Sequence, residues 1–298
     1  MGPNLLQNNP FEIARINSKP LMLDGSIGSY LQQKGFEIDD NLWTTNINRT
    51  NPDEVFQIHQ EYIDAGADII TSNTFRTNPI SLSKAGIGNA AKYVKEAVEL
   101  AKQAAIGTNV LIAGSNPPAE DCYQTERTLS KNELEKNHRY HIDLLVDNGV
   151  NFILNETQSH FDELRIICEH CDKNSISCAI SLYVLDTLKI LSGERLESVL
   201  SFLNNHDVLT VGINCISPKL FLKIIGSIEL SKQWGFYLNC GSGQSTDKII
   251  ICGIQPDEYL GIVKKSMSYK PSFIGACCGS NPSHTQNLRD YLDGQNYS

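Results

Sequence analysis

The sequence predicts a single closed (β/α)8 TIM barrel, and three observations support this prediction. A short apolar, β-branched run that ends in a polar or reactive residue occurs eight times along the chain. Amphipathic segments with helix-capping residues separate these runs, which is typical of a buried parallel sheet. The length of 298 residues fits one large barrel, because α/β barrels often run about 200–250 residues or more as one unit.

The eight predicted strands are apolar throughout rather than alternating, which indicates burial on both faces. In chain order they are 20–26 (PLMLDGS), 68–73 (DIITSN), 109–115 (NVLIAGS), 151–157 (NFILNET), 177–183 (SCAISLY), 209–215 (LTVGINC), 234–240 (WGFYLNC) and 272–278 (SFIGACC). Eight strand–helix units favour a closed barrel over an open, doubly wound sheet. We assign residues 1–19 to an N-terminal extension and residues 20–298 to the barrel.

The segments between these runs carry helix signals. Residues 51–67 begin with Asn51 as the N-cap and Pro52 at the first helical position. Residues 130–149 begin with a Ser130 cap, have Glu133 three residues later, and stop at a glycine. Further helices are predicted at 160–174, 193–206, 217–234, 255–267 and 281–292.

The composition predicts a soluble, cytoplasmic enzyme. The formal net charge of −9 argues against nucleic acid or an anionic membrane as a partner. No run approaches the ~20 apolar residues that span a bilayer, and the first residues lack a signal-peptide pattern. Nine cysteines without an export signal fit reduced thiols or metal ligands better than a disulfide framework. The oligomeric state stays open, a homo-oligomer included.

Reactive side chains stand at the ends of several predicted strands, where a barrel of this kind places its active site. Asp24 follows the first strand, Asn73 ends the second, and Glu156 follows the fourth. Cys215 follows the sixth strand, and the adjacent pair Cys277–Cys278 follows the eighth. Because strands six, seven and eight are neighbours in the ring, the three thiols could converge across strand seven.

Three thiolates with a fourth position open suit a zinc ion. Neighbouring Cα atoms are about 3.8 Å apart, so a disulfide between Cys277 and Cys278 would be strained. Both thiols can face one partner only if the backbone leaves strand geometry at the second cysteine, which the flanking glycines permit. The alternative is that the pair is buried and acts as two small apolar residues.

The motifs LDGSIGSYL, DNLW, HQEYIDAGADIITSNTF, ILNETQ, VGINCISP and GACCGSNPSH resemble those of the zinc-dependent homocysteine S-methyltransferases. That family includes the betaine-, S-methylmethionine- and S-adenosylmethionine-dependent enzymes and the homocysteine module of cobalamin-dependent methionine synthase. The resemblance runs from about residue 20 to residue 292, in the family's order.

The resemblance implies a function and a set of site residues. Cys215 and Cys277–Cys278 correspond to the ligands of Zn²⁺. Asp24 with the Gly25–Ser26 turn, and Glu156, correspond to positions that hold the amino-acid end of homocysteine. The implied reaction is methyl transfer from S-methylmethionine, S-adenosylmethionine or betaine to homocysteine, which forms methionine. Once it has given up its methyl group, a cationic methyl donor leaves as a neutral molecule, so the reaction needs no general acid, and we nominate no acid–base pair. Asn73 is a further candidate for a residue that lines the site.

Two loops depart from the family pattern. After strand three the chain reads GSNPPAEDCY instead of a GSxGP turn, and after strand seven it reads YLNCGSG, with Leu238 in place of a proline. Cys240 occupies a position that is usually small. Cys240 could close the coordination shell of the metal or act as an apolar filler, and the flexible turn expected at residues 241–243 favours the filler.

These departures leave the methyl donor undetermined and keep two alternative functions open. One is a zinc-binding barrel that acts on another thiol or serves as a non-catalytic binding protein. Another is a barrel enzyme with structural cysteines and different chemistry, such as a lyase that uses Glu156.

Overall fold

The strands of the protein form one parallel sheet. The computed structural model describes residues 8–230, 233–242 and 249–295. Within these ranges the strands are β1 (Leu21–Met22), β2 (Ile69–Thr71), β3 (Leu111–Asn116), β4 (Phe152–Gln158), β5 (Cys178–Leu182), β6 (Val208–Asn214), β7 (Trp234–Leu238) and β8 (Phe273–Ala276). Their order in the sheet is β1-β8-β7-β6-β5-β4-β3-β2.

The sheet closes between its first and second strands. Leu21 of β1 pairs with Phe273 of β8, while Leu23, just beyond β1, bridges to Ile69 of β2. Asp24 N donates a hydrogen bond to Ile69 O at 2.9 Å. The predicted (β/α)8 barrel is therefore confirmed, with a strand in each of the eight predicted places.

Helices surround the barrel. They are α1 (Pro10–Ile16), α2 (Ile27–Gln33), α3 (Ile47–Thr50), α4 (Pro52–Asp64), α5 (Pro79–Lys84), α6 (Ala90–Ala104), α7 (Lys131–Asp147), α8 (Phe161–Asn174), α9 (Leu196–Leu203), α10 (Pro218–Ile225), α11 (Pro256–Ser266) and α12 (Pro282–Asp293). Asn51 and Pro52 begin α4, and Ser130 and Glu133 form a reciprocal capping box on α7, both as predicted. Helix α10 stops before Gly226, earlier than predicted, because glycine is a poor helix former. Residues 231–232 of that predicted helix lie outside the described residues.

Helix α1 closes the amino-terminal end of the barrel. The ring of Phe11 packs edge-on against Phe152 and Phe273, the first residues of β4 and β8, with ring centroids 5.6 and 5.5 Å apart. Asn9, the N-cap of α1, also donates from Nδ2 to Leu209 O at 2.8 Å. This helix lies within the segment 1–19, whose first seven residues fall outside the described ranges. The opposite, carboxyl end of the barrel is thereby left as the accessible one.

No helix among the described residues is long and apolar enough to cross a membrane. Cys168 and Cys171 of α8 are buried in the hydrophobic core between the helices and the sheet, which is the role their position inside a helix indicates.

Candidate functional site

Three thiols meet at the carboxyl end of the barrel. Cys215 follows β6 and Cys277–Cys278 follow β8, and the sulfur atoms of all three lie within 4.8 Å of one another. Cys278 Sγ is 3.6 Å from Cys215 Sγ and 4.0 Å from Cys277 Sγ. The predicted convergence across β7 is present, and this cluster could hold a metal ion.

The backbone leaves strand geometry where the thiols turn inward. Strand β8 ends at Ala276, and a turn follows at Cys278 and Gly279, whose φ is +83°. A Cβ at Gly279 would collide with the backbone of Gly241, so the site needs glycine there for space as well as for conformation. Cys215 itself is in the left-handed region, with φ +55°. Both deviations bring side chains from β6 and β8, which flank β7, toward one point.

The thiols perturb one another's protonation. Contacts with the Cys277 and Cys278 thiols hold the pKa of Cys215 well below its usual value, and the same contacts raise the pKa of the two partners. The hydroxyl of Tyr123, from the loop after β3, lies 3.3 Å from Cys215 Sγ. Three thiols this close together, with the pKa of one lowered, form an electron-rich group of the kind that binds a metal cation.

Glu156 reaches the same space from β4 through a β-bulge. Asn155 pairs with Ile180 and Gln158 pairs with Leu182, so Glu156 and Thr157 together face one residue of β5. Thr157 has φ +57°, in the left-handed region. Burial raises the pKa of Glu156 to about 7, although its Oε1 accepts a hydrogen bond from Ser115 Oγ.

Asp24 lies on the other side of the barrel mouth. Its Oδ2 accepts a hydrogen bond from Thr71 N at 2.8 Å, and burial raises its pKa well above the usual value. Ser26 is the N-cap of α2, and its backbone N donates to Ser280 Oγ at 3.1 Å. A Cβ at Gly25 would lie 2.6 Å from Tyr62 Oη, so this turn is packed tightly against its neighbours.

The side chain and backbone of Asn73 are hydrogen-bonded to Asn48 of helix α3. Its Nδ2 donates to Asn48 Oδ1 at 2.9 Å, and its backbone O accepts from Asn48 Nδ2 at 3.0 Å. Its side chain is thus held by Asn48 at the edge of the mouth.

All eight residues singled out from the sequence line one cavity of about 620 Å³: Asp24, Gly25, Ser26, Asn73, Glu156, Cys215, Cys277 and Cys278. Sequence reasoning did not assign site roles to Tyr123 and Tyr237, and it used Trp43 only as part of the DNLW motif. All three line the cavity, and the ring of Trp43 packs edge-on against Phe75, with ring centroids 5.9 Å apart. Tyr123 stands in the divergent loop after β3, and this departure was the available signal for it.

Cys240 does not join the cluster of three thiols. Its side chain is fully buried, and its Sγ contacts Leu238 O at 3.7 Å. It therefore occupies space at the end of β7 as an apolar filler. The turn expected after it falls partly outside the described residues, because Gly243 is not among them.

Comparison with known proteins identifies the family. A sequence model of the family described as "Homocysteine S-methyltransferase" matches residues 21–292, most of the chain. The chain belongs to this family. The resemblance inferred from the motifs is thus confirmed, and with it the prediction of a methyltransferase enzyme.

Relatives within the homocysteine S-methyltransferase family match along most of their length. Homocysteine S-methyltransferase 2 of Arabidopsis thaliana is 24% identical over 88% of this chain and 89% of its own. Betaine-homocysteine S-methyltransferase of Drosophila melanogaster is 26% identical over 94% of this chain and 96% of its own. The crystal structure of the homocysteine methyltransferase MmuM from Escherichia coli, metallated form, superimposes with a TM-score of 0.78 at 24% identity, covering 95% of this chain and 99% of that one. The superposition shows the shared barrel fold.

Proposed function

We propose that this protein transfers a methyl group from a small sulfonium or ammonium donor to the thiol of homocysteine, forming methionine, in a reaction that depends on zinc held by Cys215, Cys277 and Cys278. One observation supports this above the others. Three convergent thiols and two carboxylates, the buried Asp24 and the partly buried Glu156, line a single cavity at the end of the barrel where such enzymes act.

The three sulfur atoms fit zinc. Four-coordinate zinc has Zn–S bonds of about 2.3 Å, which in a tetrahedron separate the sulfur atoms by about 3.8 Å. The separations from Cys278 Sγ are 3.6 Å to Cys215 and 4.0 Å to Cys277, close to that value. Three soft ligands also favour zinc over magnesium or calcium, which prefer oxygen.

The chain's own residues would bind and orient the acceptor. A free thiol has a pKa near 8.5, and zinc would supply the open position at which the substrate thiol loses its proton. Glu156 would accept a charge-assisted hydrogen bond from the ammonium group of homocysteine, and Asp24 would support the same end. Burial in the cavity keeps water away from both carboxyl groups, which strengthens this contact.

The mouth of the cavity suits a cationic donor. Trp43, Phe75 and Tyr123 present aromatic rings. The carboxylates of Asp39 and Asp40 add negative charge, whereas that of Asp121 is paired with Arg76 at 3.8 Å. Such a lining would attract S-methylmethionine, S-adenosylmethionine or betaine, all of which carry a positive charge at the methyl-bearing atom.

The proposal places the enzyme in the cytoplasm. All nine cysteines lie among the described residues and are free thiols, and thiol ligands stay reduced in that compartment.

A donor panel with zinc-loaded protein and homocysteine tests the proposal directly. We expect methionine formation with at least one cationic donor and about one zinc per chain by elemental analysis. Cys215→Ser, Cys277→Ser and Cys278→Ser should each lose zinc and turnover, whereas Cys252→Ser, a partly exposed thiol outside the cluster, should lose neither.

Two results would contradict parts of the proposal. Single cluster variants that keep full zinc and turnover would show that the site assignment is wrong. Zinc binding without methionine from any donor would support the alternative, a non-catalytic zinc-binding barrel.

A further inference from the structure

A buried amide joins the two halves of the cavity. The side chain of Asn214 is fully buried and reaches across β5, from the end of β6 to the end of β4. Its Oδ1 accepts a hydrogen bond from Thr157 N at 3.0 Å, and its Nδ2 donates to Thr157 Oγ1 at 2.9 Å. Asn214 directly precedes Cys215, and Thr157 directly follows Glu156, so the two bonds link the backbone beside a thiol of the cluster to the backbone beside the carboxylate.

Both linked backbones are held in an unfavourable conformation. Thr157 and Cys215 have φ of +57° and +55°, in a region that residues with a Cβ avoid and that β-branched residues avoid most. Such conformations persist where surrounding contacts hold them in place. At Thr157 the holding contacts are the two hydrogen bonds with Asn214, one in each direction. At Cys215 the backbone N donates to Tyr237 O at 3.0 Å.

We infer that Asn214 and Thr157 form a positioning pair that fixes the distance between Glu156 and the thiol cluster and thereby selects the acceptor by its chain length. The inference rests on the proposed function, in which Glu156 holds the ammonium end and the cluster's metal holds the sulfur end. With both ends fixed, an acceptor one methylene shorter than homocysteine, such as cysteine, cannot satisfy both contacts. One methylene in a fitted site changes the specificity constant by about 10- to 200-fold.

Glu156 follows Phe152 and Leu154 on the inward-facing side of β4, because alternate side chains of a strand share one face. The bulge and the left-handed turn at Thr157 then fix the course of the backbone directly after Glu156. Weakening the link should therefore let Glu156 shift relative to Cys215 while both residues stay intact. The expected result is loss of discrimination rather than loss of metal.

Substitutions at Thr157 test the inference with little change in volume. Thr157→Val keeps the branched shape and the N–H but removes the hydroxyl that accepts from Asn214, and Thr157→Ser keeps the hydroxyl. Calorimetry on zinc-loaded protein should show homocysteine binding about tenfold weaker in Thr157→Val. The preference for homocysteine over cysteine should fall by a similar factor, with zinc content unchanged. Thr157→Ser should restore both values, and Asn214→Ala should resemble Thr157→Val.

Ser175→Gly is the matched control. Ser175 is also left-handed, with φ +52°, but it is exposed at the end of α8, so this variant should leave homocysteine binding and its preference over cysteine unchanged.

The outcomes separate the inference from the function it rests on. Absence of homocysteine binding to the wild type would overturn the proposed function and the inference together. Normal wild-type binding, with the same affinity and the same preference over cysteine in Thr157→Val, would overturn the inference alone. Loss of zinc from Thr157→Val with unaltered acceptor preference would also overturn it, because the pair would then serve the metal site only.

Discussion

Replacing Glu156 with glutamine should make the protein more stable while weakening its binding of homocysteine. Burial raises the pKa of Glu156 from 4.5 to about 7. Because the folded-state value is the higher one, the folded protein binds more protons than the unfolded chain between about pH 4.5 and 7. Stability therefore falls as pH rises through that range. Glutamine carries no charge, so Glu156→Gln should abolish this fall in stability with rising pH.

The size of the effect follows from the two pKa values. At pH 8 the ionised side chain costs the folded state roughly 3 kcal/mol, and at pH 5 it costs less than about 1 kcal/mol. Urea denaturation followed by tryptophan fluorescence should thus show Glu156→Gln more stable than the wild type by roughly 3 kcal/mol at pH 8, with most of the gain gone at pH 5. Both proteins should carry the same zinc load.

Glu163 supplies a control of opposite sign. Glu163 is fully buried, but His138 lies 2.5 Å away and Arg127 2.7 Å away, and these contacts outweigh burial and lower its pKa to about 2. Its ionised form stabilises the folded state above pH 4.5, so Glu163→Gln should lower stability at pH 8. A Glu156→Gln variant that is no more stable than the wild type at pH 8, or whose gain is equal at both pH values, would refute the reasoning.

Three further outcomes follow from the structure. Cys240→Ala should keep zinc and turnover, and X-ray absorption on substrate-free protein should show three sulfur neighbours and one lighter atom; loss of zinc would contradict the filler role. In Gly28→Ala the new Cβ would collide with the ring of Trp43 and displace it, so the KM for the methyl donor should rise. Gly88→Ala, which has open space around its Cβ, should leave that KM unchanged. Equal KM values for the methyl donor in both variants would count against a role of Trp43 in donor binding. Phe11→Ala should lower the free energy of unfolding, measured in urea, by about 3–5 kcal/mol, because Phe11 is buried. The KM for homocysteine should not change, because Phe11 lies at the opposite end of the barrel from the cavity. A loss below about 1 kcal/mol would show that α1 adds little to stability.

The strands and the three thiols could be predicted because their signals are local. A continuous apolar run between two helices indicates a buried parallel strand wherever it occurs, and the capping residues of α4 and α7 act within one turn. Strand order then places Cys215 near Cys277 and Cys278, because strands six to eight are neighbours in a barrel.

The features that the sequence did not reveal depend on the path of the chain in space. Nothing local marks Thr157 as left-handed, because glycine is the residue that usually signals this conformation. Tyr123 reaches Cys215 only through the course of the loop after β3, and Trp43 comes from the loop between α2 and α3. Tertiary contacts determine all three positions.

Helix α1 also sets an order of events during synthesis. Phe11 leaves the ribosome early, yet its partner Phe273 stands in the last strand of the barrel. The docking surface of this helix is therefore incomplete until β8 has emerged, and until then the side chain of Phe11 stays available to chaperones or to other nascent chains. Docking of the first helix thus accompanies closure of the barrel as one of the last steps of folding, and a partner that held Phe11 would delay that step.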